Sequence, residues 1–255
     1  MTKLMKLVRL MRVVRNWPRT LMDHLQVTTA DYVCHLRNGI SVEVRGGTDD
    51  RHVIFEVFVE QVYPVALSGE KVVVDIGAHI GCFTALAAER GARVLSFEPL
   101  PANFAILERN VKRNNIRNVQ LFQSAVSSKH ETRALYLPDN DAHTGRSSLQ
   151  VARDARRIEV SCLPLDDVIR ENRLQCIDLL KIDCEGGEYE ILFAASMESL
   201  KMVQSIVIEN EPITCQALGG DRESLIKHLR TAGFIVESRN HYLHARREQS
   251  FGVKP

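Results

Sequence analysis

The chain has 255 residues, 45% of them hydrophobic and 25% charged, with a formal net charge of +1. That length buries one large α/β core, and the composition is that of an ordinary soluble globular protein. The charge balance gives no support to a nucleic-acid or acidic-polymer binder. Six scattered cysteines (Cys34, Cys82, Cys162, Cys176, Cys184, Cys215) form no CxxC pair and show no metal-type histidine spacing. This is the pattern of reduced thiols in a cytoplasmic protein rather than of a zinc site.

Residues 1–19 hold six basic groups and no acidic one, in a triplet of one basic and two apolar residues, KLMKLVRLMRVVR. No apolar run there exceeds two residues, so neither a secretion signal nor a membrane span is expected. A period of three drifts around a helix of 3.6 residues per turn, so Lys3, Lys6, Arg9, Arg12 and Arg15 wind around it. Two readings stay open: peripheral contact with anionic lipid at the inner membrane face, with basic side chains snorkelling, or a terminal helix packed on the domain or on a partner.

The rest of residues 1–70 reads as a small α+β extension. A helix is expected around Trp17–Leu25, then strands at YVCHLRNG and SVEVR joined at Asn38-Gly39, a hairpin dipeptide. DDRHVIFEVFVEQVY then has helical spacing. From 71 to 255 strands and helices alternate. Val72–Ile76 is a continuous apolar strand, Phe83–Arg90 a helix, Arg93–Phe97 a strand, Ala102–Asn114 a helix and Val119–Ala125 a strand. A polar excursion, Asp139–Arg153, lies between edge-type strands. Buried strands follow at Ile177–Ile182 and Ser205–Ile208, with a helix at Tyr189–Ala195 between them. Asp221–Ala232 is a helix stopped by Gly233, and Phe234–Ser238 can pair with His241–Arg246 at an edge. Such alternation predicts an open, mostly parallel, doubly wound sheet with its ligand at the carboxyl ends of the strands.

The first strand leads into Asp75-Ile76-Gly77-Ala78-His79-Ile80-Gly81, and the second ends on Glu98-Pro99. Gly77 and Gly81 let the main chain approach a ligand, and Glu98 can accept both hydroxyls of a ribose. His79 breaks the GxGxxG dinucleotide pattern. A carboxylate at Asp75 beneath the turn is expected to repel a diphosphate and to welcome the amino group and sulfonium of S-adenosylmethionine. The alternative role for Asp75 is that of a helix cap.

With DIGAHIGCFT, FEPLPANFAILERNVKRNN and LLKIDCEGGEYEIL in place, together with GGTDDRHVIFEVFVEQVY and HTGRSSL, the chain closely resembles the FkbM-type S-adenosylmethionine-dependent methyltransferases from about Thr48 to Glu211. The resemblance implies an α/β, Rossmann-like class I methyltransferase fold, a mostly parallel seven-stranded sheet with helices on both faces. It implies O-methylation of a small molecule, a sugar, a glycolipid or a natural product. By motif it places Asp75, Gly77 and Gly81 near the methionine portion and Glu98 at the ribose, with Ala78, His79, Phe83 and Pro99 also among the cofactor-binding positions. Asn103 falls beside the adenosine, and Ser124 and Ala125 border the adenine. IENEP (Ile208–Pro212) departs from the His-containing motif expected there.

An alcohol acceptor loses its proton as the methyl is transferred. KIDCEGGEYE supplies the carboxylates: Asp183 for the cofactor amino group or the acceptor, Glu185 as base. His79, which titrates near neutrality, is the alternative base. Glu188 is read as a helix-dipole partner, and Lys181 either neutralises this acidic cluster or lies at an edge. No metal is assigned, although Asp183, Glu185, Glu209 and Glu211 are hard oxygen donors of the kind Mg²⁺ takes. Arg146, with Thr144, Gly145 and Ser147, sits in a loop placed to choose the acceptor. The competing functions are a nucleic-acid methyltransferase, disfavoured because the basic groups cluster at one terminus and no N/D-P-P-Y motif is present, an NAD(P) oxidoreductase, and an inactive cofactor-binding module.

Overall fold

The computed structural model describes residues 3–63, 71–138, 156–209, 221–239 and 241–248, together with Ala142, Gly145 and Leu149. Its centre is a seven-stranded sheet. The strands are β3 (Val72–Ile76), β4 (Arg93–Phe97), β5 (Val119–Phe122), β9 (Leu179–Ile182), β10 (Ser205–Glu209), β11 (Phe234–Arg239) and β12 (Tyr242–Arg247), in the order β11-β12-β10-β9-β3-β4-β5. β12 alone runs against its neighbours. β3, β4, β9 and β10 are apolar on both faces because each face is covered, and their side chains feed two separate cores.

One core takes Val73, Val94, Leu179 and Val207 from the sheet and packs them against α4 (Cys82–Glu89) and the N-terminal elements, including Leu10, Val42 and Phe58. The other takes Val74, Leu95, Leu180 and Ile206 and packs them against α6 (Leu165–Glu171), α7 (Glu188–Ala194), α8 (Met197–Lys201) and α9 (Arg222–Thr231). α5 (Pro101–Arg113) completes the first face through Ile106. Residues before 71 thus share a core with the sheet.

The N-terminal elements are α1 (Lys3–Val13), α2 (Trp17–His24), the antiparallel pair β1 (Tyr32–His35) and β2 (Ser41–Val44), and α3 (Asp50–Ile54). α3 widens into a π-helix over Phe55–Glu60 that ends on Gln61 at φ +55°. Long π segments are rare and cluster at functional sites.

Three sequence expectations differ from the fold. Val119–Ala125 is not one strand: the main sheet is left at Phe122, and β6 (Ala125–Ser127) pairs with β8 (Arg157–Pro164) in a second sheet ordered β6-β8-β7, with β7 being Glu131–Tyr136. α6 and α8 were not expected. Both are short, and tertiary packing of Leu165, Val168 and Leu200 rather than a long periodic run holds them.

Candidate active site

The carboxyl ends of β3, β4 and β9 open into a cavity of about 620 Å³. The loop after β3 is forced into shape by Gly77 (φ +76°), where a Cβ would overlap the carbonyl oxygen of Asp183. The amides of Gly77 and Ala78 both donate to the Phe97 carbonyl at 3.0 Å, and the His79 amide donates to Glu98 Oε2 at 2.8 Å. These three donors are therefore turned into the protein.

Glu98 is 5% exposed and accepts from the Leu100 amide at 2.9 Å and from Asn103 Nδ2 at 3.4 Å, both on Oε1. Burial pushes its carboxyl up to about 7, against these hydrogen bonds, which favour the ionised form. Asn103 is oriented in turn by Arg45, whose Nη2 donates to Asn103 Oδ1 at 2.7 Å. Arg45 also grips Asp50 in a bidentate pair at 2.9 and 2.8 Å. Burial opposes the Asp50 charge, yet His79 and Arg45 hold its pKa below the ordinary value.

Gly77, Ala78, His79, Phe83, Glu98, Pro99, Asn103, Ser124, Ala125, Asp183 and Glu185 all line the cavity. Asp75 and Gly81 do not. Gly81 (φ +83°) lies behind the loop, where a Cβ would strike Leu107. Asp75 is fully buried: its Oδ2 accepts from Thr84 Oγ1 at 2.7 Å, and its Oδ1 lies 3.2 Å from Lys181 Nζ. The expectation that Asp75 itself faces a cationic ligand is corrected here, because a buried lysine already meets its charge. The imidazole of His79 is directed to Asp50, Nε2 to Oδ1 at 3.6 Å, and burial lowers its pKa against the pull of that carboxylate. The ring thus ties α3 to the glycine loop.

The acidic wall is instead built at the ends of β9 and β10. Asp183 Oδ2 accepts from the Tyr63 hydroxyl at 3.0 Å and lies 3.4 Å from Lys181 Nζ. Burial works against its ionisation, but Lys181, a hydrogen bond from Glu209 and Tyr63 keep its pKa below the ordinary value. The charge of Asp183, with burial, in turn pushes the Glu209 carboxyl well above the ordinary range. Glu185 occupies a left-handed backbone position, φ +52°, just before Gly186 and Gly187, and faces the cavity. Glu188 is buried and accepts from the Cys184 amide at 3.1 Å at the start of α7. Burial raises its pKa.

Tyr63, Glu56 and the Arg45–Asp50 clamp are site residues that the sequence did not reveal. Tyr63 closes an apolar helical run and reads there as one more core aromatic. Of the loop expected to choose the acceptor, Gly145 and Leu149 line the cavity. Thr144, Arg146 and Ser147, like Cys215 and the IENEP residues beyond Glu209, lie outside the described residues. Among the described residues the grouping with metal-type spacing is His130, Asp167 and Glu171, away from this cavity.

A seven-stranded sheet of this order, with a glycine turn after β3 and Glu98 directly after the neighbouring β4, is that of a class I S-adenosylmethionine-dependent methyltransferase. The model of the methyltransferase FkbM domain matches residues 75–236, and the chain belongs to that family. It is 30% identical to methyltransferase sdnD of Sordaria araneosa, over 60% of this chain and 72% of that protein. It is 29% identical to 31-O-demethyl-FK506 methyltransferase FkbM of Streptomyces tacrolimicus, over 79% of this chain and 88% of that protein. Methyltransferase 1 of Beauveria bassiana (strain ARSEF 2860) is 27% identical over 71% of this chain and 79% of its own. No helix among the described residues is long and apolar enough to cross a membrane.

Proposed function

We propose that the cavity holds S-adenosylmethionine and that the enzyme methylates a hydroxyl of a small molecule, a sugar, a glycolipid or a natural product. The observation that carries this reading is the direction of the polar groups. The glycine-loop amides of Gly77, Ala78 and His79 point away from the ligand space, whereas the carboxylates of Glu98, Asp183 and Glu185 line it. A diphosphate needs donors and cations; among the described residues lining the cavity the lysine, Lys181, is committed to the Gly77 carbonyl, Asp75 and Asp183. A ligand with ribose hydroxyls, an ammonium group and a sulfonium fits this wall. The relative named for 31-O-demethyl-FK506 supports oxygen as the acceptor atom.

In this reading Glu98 accepts the ribose hydroxyls, and Ser124 and Ala125 border the adenine. Asp183 accepts the ammonium group. The cofactor would supply an electrophilic methyl group, the C–S bond breaking to leave S-adenosylhomocysteine as the acceptor C–O bond forms. Glu185 takes the acceptor's proton as the new C–O bond forms, and Asp183 with Tyr63 orients the acceptor beside it. Val57, Phe83 and Leu149 give the cavity its apolar lining.

Thermal unfolding with S-adenosylhomocysteine and, separately, with NAD tests the ligand assignment, because a ligand of the folded state raises the melting temperature. S-adenosylhomocysteine is expected to raise it and NAD to leave it unchanged; stabilisation by NAD alone overturns the proposal. Release of S-adenosylhomocysteine in a screen of sugars, glycolipids and polyketides then identifies the acceptor.

A further inference from the structure

Ten large hydrophobic side chains are exposed among the described residues, and seven of them fall between residues 4 and 27. Four are on α1: Leu4 at 71%, Met5 at 57%, Val8 at 40% and Met11 at 41%. At about 100° per residue, Leu4, Val8 and Met11 fall within an arc of roughly 60°, and Met5 and Arg12 extend that arc to roughly 120°. The opposite side of the helix is the one the protein holds. Leu10 is fully buried there, Lys6 pairs with Glu60, and Arg9 Nη2 donates to Gln61 Oε1 at 2.7 Å. So α1 is anchored along one side and presents an apolar strip along the other.

The chemistry around the strip selects its occupant. Residues 1–19 contain Lys3, Lys6, Arg9, Arg12, Arg15 and Arg19 with no acidic residue, and Lys3, Arg12 and Arg15 are exposed. A second copy of this chain would set two such cationic helices face to face. An anionic surface with an apolar interior satisfies both features at once. We propose that α1 docks the enzyme peripherally on anionic phospholipid, with Leu4, Met5, Val8 and Met11 entering the acyl boundary and Arg12 and Arg15 reaching the headgroups. The inner side of α1 is tied to Glu60 and Gln61, which line a second recess sharing Glu56 and Glu209 with the active-site cavity. Docking therefore sets that recess within about one helix diameter, roughly 10 Å, of the lipid surface.

Vesicle flotation of the full chain decides it, using phosphatidylcholine alone and phosphatidylcholine mixed with phosphatidylglycerol. The protein is expected to float with the mixed vesicles, to stay behind with phosphatidylcholine alone, and to be released by high salt. Leu4→Glu/Val8→Glu is expected to lower the bound fraction about tenfold or more. Both side chains are exposed, so the melting temperature should stay unchanged. Arg12→Glu/Arg15→Glu should weaken binding to the mixed vesicles in the same direction. The proposal is overturned if the wild type stays in solution with mixed vesicles, if the Leu4→Glu/Val8→Glu variant floats like the wild type, or if light scattering shows a dimer that this variant splits without any vesicle binding.

Discussion

Lys181 Nζ lies 3.2 Å from Asp75 Oδ1, and the two residues are direct partners across β9 and β3. Ser96 is the partner of Asp75 on the other side, in β4, and Thr84 of α4 bridges both, at 2.7 Å to Asp75 and 2.9 Å to Ser96. A polar row thus crosses three central strands beneath the glycine turn. Its cation reaches upward to the Gly77 carbonyl at 2.6 Å. Burial opposes the lysine charge, yet Asp75 and Asp183 hold its pKa above the ordinary lysine range. Lys181 therefore fixes the height of the loop and, through Asp183, the charge of the cavity wall.

Removing that cation leaves two carboxylates without their partner in or near the core. Lys181→Met is expected to destabilise the fold by about 3–5 kcal/mol. Lys181→Met/Asp75→Asn should recover a large part of this, because the fully buried charge disappears with its partner. Urea denaturation of both variants checks the difference. An additive pair of effects would show that Lys181 acts on Gly77 alone.

Gly77 and Gly91 separate backbone strain from crowding. Both have positive φ, +76° and +91°, but a Cβ at Gly91 meets nothing within 4 Å, whereas at Gly77 it overlaps the Asp183 carbonyl. Gly91→Ala is expected to cost about 1–2 kcal/mol, the left-handed penalty alone. Gly77→Ala should cost at least about 2 kcal/mol more, because β3 and β9 must move apart, and should weaken S-adenosylhomocysteine binding as well. Equal losses in the two variants would refute the close approach of the two loops.

Much of the architecture is legible because continuous apolar strands and strong stops are local signals. Val72–Ile76, Arg93–Phe97 and the Gly233 stop sit where hydrophobic runs and glycine put them. The break at Ser124 is different: β6 leaves the main sheet to pair Ala125 with Cys162, a contact between distant segments that no local pattern encodes. The cavity was legible as a set of loops, since glycine turns and strand-end acids mark them. The role of Asp75 was not, because it depends on the register that sets Lys181 opposite it. The same register argument explains why Lys181 alone gave no sign of whether it lay inside or at an edge. The Arg45–Asp50 pair was not legible either, because it joins the end of β2 to α3 through a contact that only the folded chain forms.

The carboxyl of Glu98 gives the cavity a pH dependence with a defined sign. Its folded pKa is raised by burial to about 7 from the ordinary 4.5. Between those values the unfolded chain is ionised while the folded chain holds the proton, so this group's contribution to stability is complete below 4.5 and is lost as pH rises through about 7. In the proposed binding mode ribose hydroxyls would donate to the ionised form, so S-adenosylhomocysteine should bind more tightly as pH rises toward 7 and should release a proton on binding. Calorimetric titration in buffers of different ionisation enthalpy measures that proton. Glu98→Gln should bind about tenfold more weakly and lose the proton release; unchanged release would assign it to another group.

Glu185 and Asp183 are two residues apart but differ in what holds them. Asp183 is bound by Tyr63, Lys181 and Glu209, so its removal disturbs the acidic wall of the cavity. Glu185 sits at the loop apex before two glycines, where a change of side-chain charge leaves that network in place. Glu185→Gln is therefore expected to bind S-adenosylhomocysteine within about twofold of the wild type while kcat falls about 10²–10⁴-fold, the range of a lost general base. Asp183→Asn should weaken binding and kcat together. Titration of the cofactor product and initial rates on one accepted substrate give both quantities for each variant. If Glu185→Gln turns over at the native rate while Asp183→Asn keeps its affinity and loses kcat, the proton goes to Asp183 rather than to Glu185.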